Sequence, residues 1–455
     1  MNQKIAVSAV FVAAMFMNIM DVTIVNVALP TLGREFAVRS DAVATVSIGY
    51  LVSLAVFMPA SGWVGDRLGG RRTLLTAVVI FTGASALCGV SQSLGELVGF
   101  RVLQGVGGGM MAPVGMAMLY RTFPPQERVR ASSILVVPTA LAPALGPVLG
   151  GLFVTDLSWR WVFFVNVPIG IAAVVFGILF LGRHEQPHPG RFDLPGFLLA
   201  GLGLALVMYG VSEGPQIGWH TPRVIATCLA GAGLLLTLVF VELRVPAPMI
   251  DLRLFKDRLF AACNAALVLG SVAFIGGLFL IALFFQDGLG LSALQSGLST
   301  FPEALGVMAG SQVVTRGVYP LLGPRRVMMG GLTVVGGSLL LLTQVSFATN
   351  LWLVRLVLFV LGMGMSAVFV PSQAAGFATI TPAETARAST LFNANRQLGG
   401  AVGVALLTTV LAAVGPIKLV HGHPASNLAA YHTAFVVAAL VAFVGVLVAL
   451  TIADA

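Results

Sequence analysis

Residues 161–182 read WVFFVNVPIGIAAVVFGILFLG, a stretch without a charged side chain. As a helix rising about 1.5 Å per residue it is about 33 Å long, enough to cross a hydrocarbon core of about 30 Å. In lipid every backbone N–H and C=O must be paired inside its own segment, so such a run is helical. Comparable apolar windows recur on both sides of it. The spans expected are 5–29, 43–64, 73–91, 95–118, 131–154, 161–182, 194–212, 223–243, 260–285, 293–317, 327–347, 350–372, 388–412 and 432–452. Of the 455 residues, 58% are apolar and 9% charged. A soluble domain carries roughly 25% charged residues, so this chain cannot furnish a polar shell. The fold class expected is an all-α integral membrane protein of fourteen transmembrane helices.

The first apolar run is too long for a signal-peptide core of roughly 7 to 15 residues, and is read as a retained span. Cys88, Cys228 and Cys263 all lie in apolar runs, without metal-ligand spacing, and read as small buried hydrophobes. The net charge of +8 is explained by topology rather than by nucleic acid. With the N-terminus inside, Arg34, Arg39, Arg160, Arg223 and Lys418 fall outside, and Arg101, Arg355 and Arg396 fall within helices. The rest of the 25 Lys and Arg residues face the cytoplasm, among them Arg67, Arg71, Arg72, Arg121, Arg128, Arg130, Arg253, Lys256, Arg258, Arg325 and Arg326. That bias requires an even number of spans with both termini cytoplasmic.

An internal repeat divides the chain. Pro125, Glu127, Arg130, Ala131 and Ser132 recur 257 residues later as Pro382, Glu384, Arg387, Ala388 and Ser389, and Gly146 recurs as Gly403. At an offset of 254, Gly69, Arg71 and Arg72 recur as Gly323, Arg325 and Arg326, and Arg101 as Arg355. The expected organisation is an N-terminal six-helix bundle (1–190), two inserted helices (191–257) and a C-terminal six-helix bundle (258–455), or 6 + 2 + 6. Two parallel repeats read as a transporter, with substrate bound near the bilayer midplane between the halves.

The loop after the second span reads Gly62-Trp-Val-Gly-Asp66-Arg67-Leu-Gly69-Gly-Arg71-Arg72. Its glycines permit a tight turn and its arginines face an anionic leaflet. The spacing resembles the signature loop of the major facilitator superfamily, with Gly70 where an arginine is common. The resemblance implies a conformational latch formed by Gly62, Asp66, Arg67, Gly69, Arg71 and Arg72. In the second copy Pro320 stands where the aspartate would fall. The fourth span, Arg101-Val-Leu-Gln104-Gly105-Val-Gly107-Gly108-Gly109, resembles the family motif whose arginine serves proton coupling. An arginine within a span costs at least about 2.5–3.5 kcal/mol unless paired or hydrated. The run Pro143-Ala-Leu-Gly146-Pro147-Val-Leu-Gly150-Gly151 resembles the antiporter signature, with Pro138 in place of its usual first glycine.

Three further stretches resemble the fourteen-helix drug:proton antiporter branch. They are Met17-Asn18-Ile-Met-Asp21-Val-Thr23-Ile-Val-Asn26, Trp159 through Asn166 to Gly170, and Ser389 through Asn393, Arg396 and Gln397 to Gly400. Asp21 lies deep in the first span, where burial favours a neutral carboxyl, and a group that takes and releases a proton is what such coupling needs. The competing reading ties Asp21 structurally to Arg101 or a backbone donor. Glu303, ten residues into the tenth span, is a second proton site or a counter-charge for cationic substrate, or else pairs with Arg396 or Arg355. This reading of Glu303 does not come from the family. Thr23, Asn26, Gln104, Asn393, Arg396 and Gln397 are polar cavity candidates. No cofactor, metal site, nucleophile–base pair or phosphate-cradling loop is expected. His421-Gly-His423 reads as a solvated loop.

These readings converge on proton-coupled export of small amphipathic compounds, such as drugs, across a bacterial cytoplasmic membrane, without an obligate protein partner. The alternatives are a dedicated exporter or flippase of one lipid, siderophore or self-made antibiotic, and, remotely, a membrane-embedded enzyme or sensor.

Overall fold

The computed structural model describes residues 2–38, 40–124, 127, 129, 131, 141–143, 145–146, 148–182, 192–245, 248, 250–381, 384–420 and 423–452. It is built of helices: α1 (Gln3–Glu35), α2 (Ser40–Phe57), α3 (Ala60–Leu68), α4 (Gly70–Val90), α5 (Leu94–Thr122), α6 (Leu141–Leu157), α7 (Trp161–Phe164) and α8 (Asn166–Phe180). After these come α9 (Leu194–Ile217), α10 (Pro222–Glu242), α11 (Arg258–Leu283), α12 (Ala293–Val313), α13 (Tyr319–Leu342), α14 (Leu351–Gly376), α15 (Thr385–Val414) and α16 (Leu428–Ala449). Among the described residues, 11 helices are long and apolar enough to cross a membrane, or 12 if the bent pair α2–α3 is one span. Large apolar side chains stand exposed along their outer faces, Leu229 at 68% and Phe240 at 63% on α10. Such surfaces are stable against lipid tails and not against water, so the chain is an integral membrane protein.

The structure departs from the sequence reading in three places. The second span is not one straight helix: it bends by 58° between α2 and α3. Pro59 causes the break, since it has no N–H to continue the ladder. Short π-helical turns finish α6 (Phe153–Leu157) and extend α11 (Phe284–Gly288) and α12 (Val314–Val318). The segment between α15 and α16, read as a plain loop, holds a two-stranded antiparallel hairpin, β1 (Ile417–Val420) and β2 (His423–Ser426). Asn427 closes it: its N–H donates to Pro416 O at 2.8 Å and its Nδ2 to Gly415 O at 2.8 Å. Part of the expected fifth span, 132–140, lies outside the described residues, as do Pro125, Arg128, Arg130, Pro138, Pro147, Pro382 and His421.

The chain divides into two compact units. The first comprises Met1–Gly210, Ile225–Leu254 and Ile380–Ala394, the second Val211–Val224, Phe255–Thr379 and Asn395–Ala455. In the first, α1, α2 and α4 pack against α5, whose glycines let backbones approach, and α8 packs against α1 and α4. A methyl group on Gly107 would stand 2.6 Å from Ala77 O, and one on Gly109 3.2 Å from Met58 N. Either substitution forces the helices apart. In the second unit, α14 fills the role of α5 against α12 and α13. A methyl on Gly364 would stand 3.0 Å from Gly331 O, and one on Gly362 2.8 Å from Val307 N.

Those contacts set the register of the repeat. Gly105 lies against Tyr50 O and Leu54 N, and Gly362 against Glu303 O and Val307 N. Gly107 lies against Ala77 O, and Gly364 against Gly331 O. Glu303 therefore occupies the place of Tyr50, and α14 follows α5 at the longer offset of 257. At that offset the counterpart of Arg101 is Leu358, and that of Gln104 is Leu361; both leucines are fully buried. Arg355, matched to Arg101 in the sequence, falls instead at the position of Val98, one turn nearer the helix start. The connection before α14 is longer than that before α5, and this shifts the register. The turns before α4 and within α13 do match: Gly69 has φ 87° and Gly323 φ 74°, a left-handed backbone that favours glycine.

Candidate functional site

Asp21 on α1 and Arg101 on α5 are the charged pair of the first unit, at 0% and 1% exposure. Arg101 Nη1 donates to Asp21 Oδ2 in a short ion pair. The rest of the carboxylate is also met. Asp21 Oδ1 accepts from Gln104 Nε2 at 2.9 Å and from Asn166 Nδ2 at 3.2 Å. Arg101 Nη1 donates to Gln104 Oε1 at 2.9 Å, and its Nε to Val46 O at 3.3 Å. The guanidinium lies over the Tyr50 ring, 4.2 Å from its centroid, with the Phe163 ring at 5.9 Å. Removing two such charges from water costs several kcal/mol per ion, which the pair offsets through their mutual attraction and the hydrogen bonds just named. A desolvated cation–π contact adds about 2 kcal/mol.

A second ring of groups orients the first. Asn166 Nδ2 also donates to Ser85 Oγ at 3.1 Å, and Ser85 Oγ donates to Phe163 O at 2.9 Å. Cys88 Sγ donates to Gln104 Oε1 at 3.7 Å. Asn166 Oδ1 and Tyr50 Oη have no hydrogen-bond partner among the described residues, although both are buried. Six helices, α1, α2, α4, α5, α7 and α8, thus converge on one carboxylate–guanidinium pair.

Of the residues picked out in the sequence, Asp21, Arg101 and Gln104 come together here. Thr23 and Asn26 do not join them. The Thr23 hydroxyl donates to Met20 O at 3.0 Å and packs against Gly146, while Asn26 is exposed and accepts from Ser47 Oγ at 3.2 Å. Gly146 and Gly150 of α6 seat that helix on α1: a methyl on Gly150 would stand 3.1 Å from Ile24 O. Gly151 meets nothing within 4 Å, and Pro147 lies outside the described residues. Asn393 is buried in the first unit and donates to Ser389 O at 2.9 Å. Arg396 and Gln397 belong to the second unit, half-buried and without a hydrogen bond or ion pair among the described residues.

The residues expected to form a latch lie on α3, at the turn after it and at the start of α4. Asp66 Oδ1 accepts from Arg121 Nη2 at 3.0 Å, Arg71 Nη2 donates to Ile178 O at 2.6 Å, and Arg67 and Arg72 are exposed. Gly62 admits the start of α15, since a methyl there would stand 3.1 Å from Thr390 Oγ1. Glu303, 5% exposed on α12, has no hydrogen-bond or ion-pair partner among the described residues. Its two candidate partners are engaged elsewhere or unpaired. Arg355 Nη2 donates to Ser299 Oγ at 3.4 Å and the guanidinium lies 4.6 Å from the Trp352 centroid, while Arg396 makes no ion pair.

Asn166, Tyr50 and Ser85 were missed as members of the site. Asn166 stood in a quoted motif at the entrance of an uncharged run, and that polarity was its only signal. Tyr50 and Ser85 are neutral residues within apolar runs.

Residues 11–404 match the sequence profile of the Major Facilitator Superfamily. The multidrug resistance protein B homolog of Mycobacterium tuberculosis is 34% identical over 408 residues, covering 89% of this chain and 75% of that protein. The MFS-type transporter YhcA of Bacillus subtilis is 31% identical over 401 residues, covering 88% of this chain and 75% of its own. Among solved structures, the human organic anion transporter MFSD10 superposes with a TM-score of 0.69 over 99% of this chain and 100% of its own, at 16% identity. That likeness speaks for the fold alone.

Proposed function

The chain belongs to the Major Facilitator Superfamily, and on that premise we propose that it exports small amphipathic compounds, drugs among them, across a bacterial cytoplasmic membrane in exchange for protons. The observation that carries the proton part is the buried Asp21–Arg101 pair with its shell of Gln104, Asn166 and Tyr50. A proton arriving from outside on Asp21 cancels the charge that Arg101 faces. The guanidinium is then left with Gln104, the Val46 carbonyl and the Tyr50 ring. This rearrangement where six helices meet weakens the grip on cargo, which leaves. After the bundles rock inward, the proton passes to the cytoplasm, the pair re-forms and affinity for cargo returns. The latch around Asp66 and Arg121 biases that equilibrium without touching substrate. Glu303 serves as a second proton site or as the counter-charge for cationic cargo.

A fourteen-span, 6 + 2 + 6 organisation with both termini cytoplasmic is part of this reading. To the 11 helices that qualify singly, the bent pair α2–α3 adds one. The window Gln295–Leu342 is 48 residues long, about 72 Å as a helix, and must cross a core of about 30 Å twice. The apolar α6 supplies the last span.

The test is efflux of cationic and neutral dyes from cells or vesicles, with and without a collapser of the proton gradient. Wild-type efflux should stop when the gradient is collapsed, and Asp21→Asn should abolish it. Proton-driven efflux by Asp21→Asn would remove Asp21 from the mechanism. A substrate panel with a single narrow hit would point instead to a dedicated exporter.

A further inference from the structure

The two inserted helices have no counterpart in the duplicated halves and no motif that names their role. The contacts of α9 supply one. The span α2–α3 is bent by 58° at its break. At its break Ser61 Oγ donates to Met58 O at 2.6 Å, but no continuous ladder fixes the angle. At the corresponding point of the second unit, α12 passes through a π turn, with Gln312 where α2–α3 has Pro59.

The bend is held from two sides. On one, α5 presses Gly109 against Leu54 O and Met58 N. On the other stands α9, where a methyl on Gly201 would stand 3.0 Å from Val56 Cγ1. A chain of four rings spans the bend. Phe57, the last residue of α2, lies 5.9 Å centroid to centroid from Phe197 of α9. Phe197 lies 5.7 Å from Phe192, and Phe192 4.8 Å from Trp63 of α3. Trp63 is three residues before Asp66 and therefore close to it on the helix surface. Thus, besides its contact with Thr390 at Ser61 and Gly62, α3 is tied to α5 through Asp66–Arg121 and to the entrance of the inserted helix through Trp63–Phe192.

We propose that α9 is a strut for the latch: Phe197 and Phe192 are positioning residues that hold α3 at the angle from which Asp66 reaches Arg121. The inserted pair then adjusts the transport cycle without touching cargo or proton. The functional arm of this inference rests on the latch reading above; its structural arm does not.

The test uses full-length protein, labelled in nanodiscs, where both faces are open, and assayed for efflux in proteoliposomes, which hold a proton gradient. Cys228 is replaced by serine, and Leu68, exposed at the end of α3, by cysteine as a reporter. Cys88 and Cys263 are buried. Phe197→Leu and Phe192→Leu keep apolar bulk and remove the ring. Each should speed maleimide labelling at position 68 at least fivefold and reduce efflux to the level of Asp66→Asn. Phe192→Tyr should restore both. Combined with Asp66→Asn, Phe192→Leu should have no additional effect on efflux. Unchanged labelling in either leucine variant, if eluting as a monodisperse species, would overturn the strut. So would effects that multiply in the double variant, which would mark the rings as packing alone. Absence of gradient-driven efflux by the wild type would count against the transport reading and leave the labelling result standing.

Discussion

The two units place the same backbone contact beside the same pocket and fill the pocket with opposite chemistry. In the first, the helix that Gly105 touches presents Tyr50, and the pocket holds Arg101, Gln104 and Asp21. In the second, the helix that Gly362 touches presents Glu303, and Leu358 and Leu361 stand where the arginine and glutamine stood. No acid on α11 answers Asp21, since that helix carries no charge after Arg258. One pocket is an internally balanced ion pair, the other a lone carboxyl. A balanced pair is neutral as a whole, and each member supplies the other's counter-charge. A buried lone carboxyl must take a proton or a cation from elsewhere, because its bare charge is costly there. Charge balance distinguishes the two pockets.

The comparison breaks most severely if one member of the pair is removed. Arg101→Met leaves Asp21 buried and uncompensated, and should cost about 3–5 kcal/mol, read as a large fall in thermal midpoint in detergent. Adding Asp21→Asn to Arg101→Met should recover most of the loss without restoring efflux. Recovery of neither would show that the pocket depends on the arginine for packing rather than for charge.

The second unit should respond in the opposite manner. Glu303→Gln removes no ion pair and should change stability by less than about 1 kcal/mol, while efflux of cationic dyes falls at least tenfold relative to neutral ones. Equal losses for both dye classes would remove the counter-charge role. Leu358→Arg sharpens the contrast further, since it introduces a guanidinium at the position from which Arg101 covers Tyr50. It should suppress cation export selectively, as the new base becomes the partner of Glu303.

The smallest effect concerns how the second unit begins. Asp257 caps α11, accepting from Leu259 N at 2.9 Å and Phe260 N at 3.0 Å. Burial on its own raises this carboxyl's pKa, but the Thr379 hydroxyl and the two N–H donors outweigh it and leave the group below its ordinary range. A depressed folded-state value means that the cap contributes fully above the unfolded carboxylate range and loses its contribution as pH falls through the folded value. Asp257→Ala should therefore cost about 1 kcal/mol at neutral pH and flatten the acid side of a thermal-midpoint profile. An unaltered acid limb would place the cap's contribution elsewhere.

Most of the fold was legible because a hydrocarbon solvent makes a span a matter of length and polarity, and runs such as 161–182 have no other reading. Breaks within such runs were not: Pro59 sits in an apolar context that gives no sign of which side of the bend will be braced. The residues of the charged pair were legible, because an aspartate and an arginine within spans are conspicuous. Their shell was not, since Tyr50 and Ser85 differ little from their neighbours in hydropathy. The match of Arg101 to Arg355 failed for a related reason: identity of residue type suggested an alignment that only the glycine contacts could correct.

The glycine that turns the chain into α4 has its twin at Gly323, with the same left-handed backbone, although Pro320 has displaced the acid of that loop. Within one polypeptide, two copies of a corner have diverged under separate demands. A mutational scan should therefore rank both glycines among the least replaceable positions while tolerating variety at 320. Such a pattern would mark the corner as inherited architecture and the aspartate at 66 as an acquired or retained specialisation.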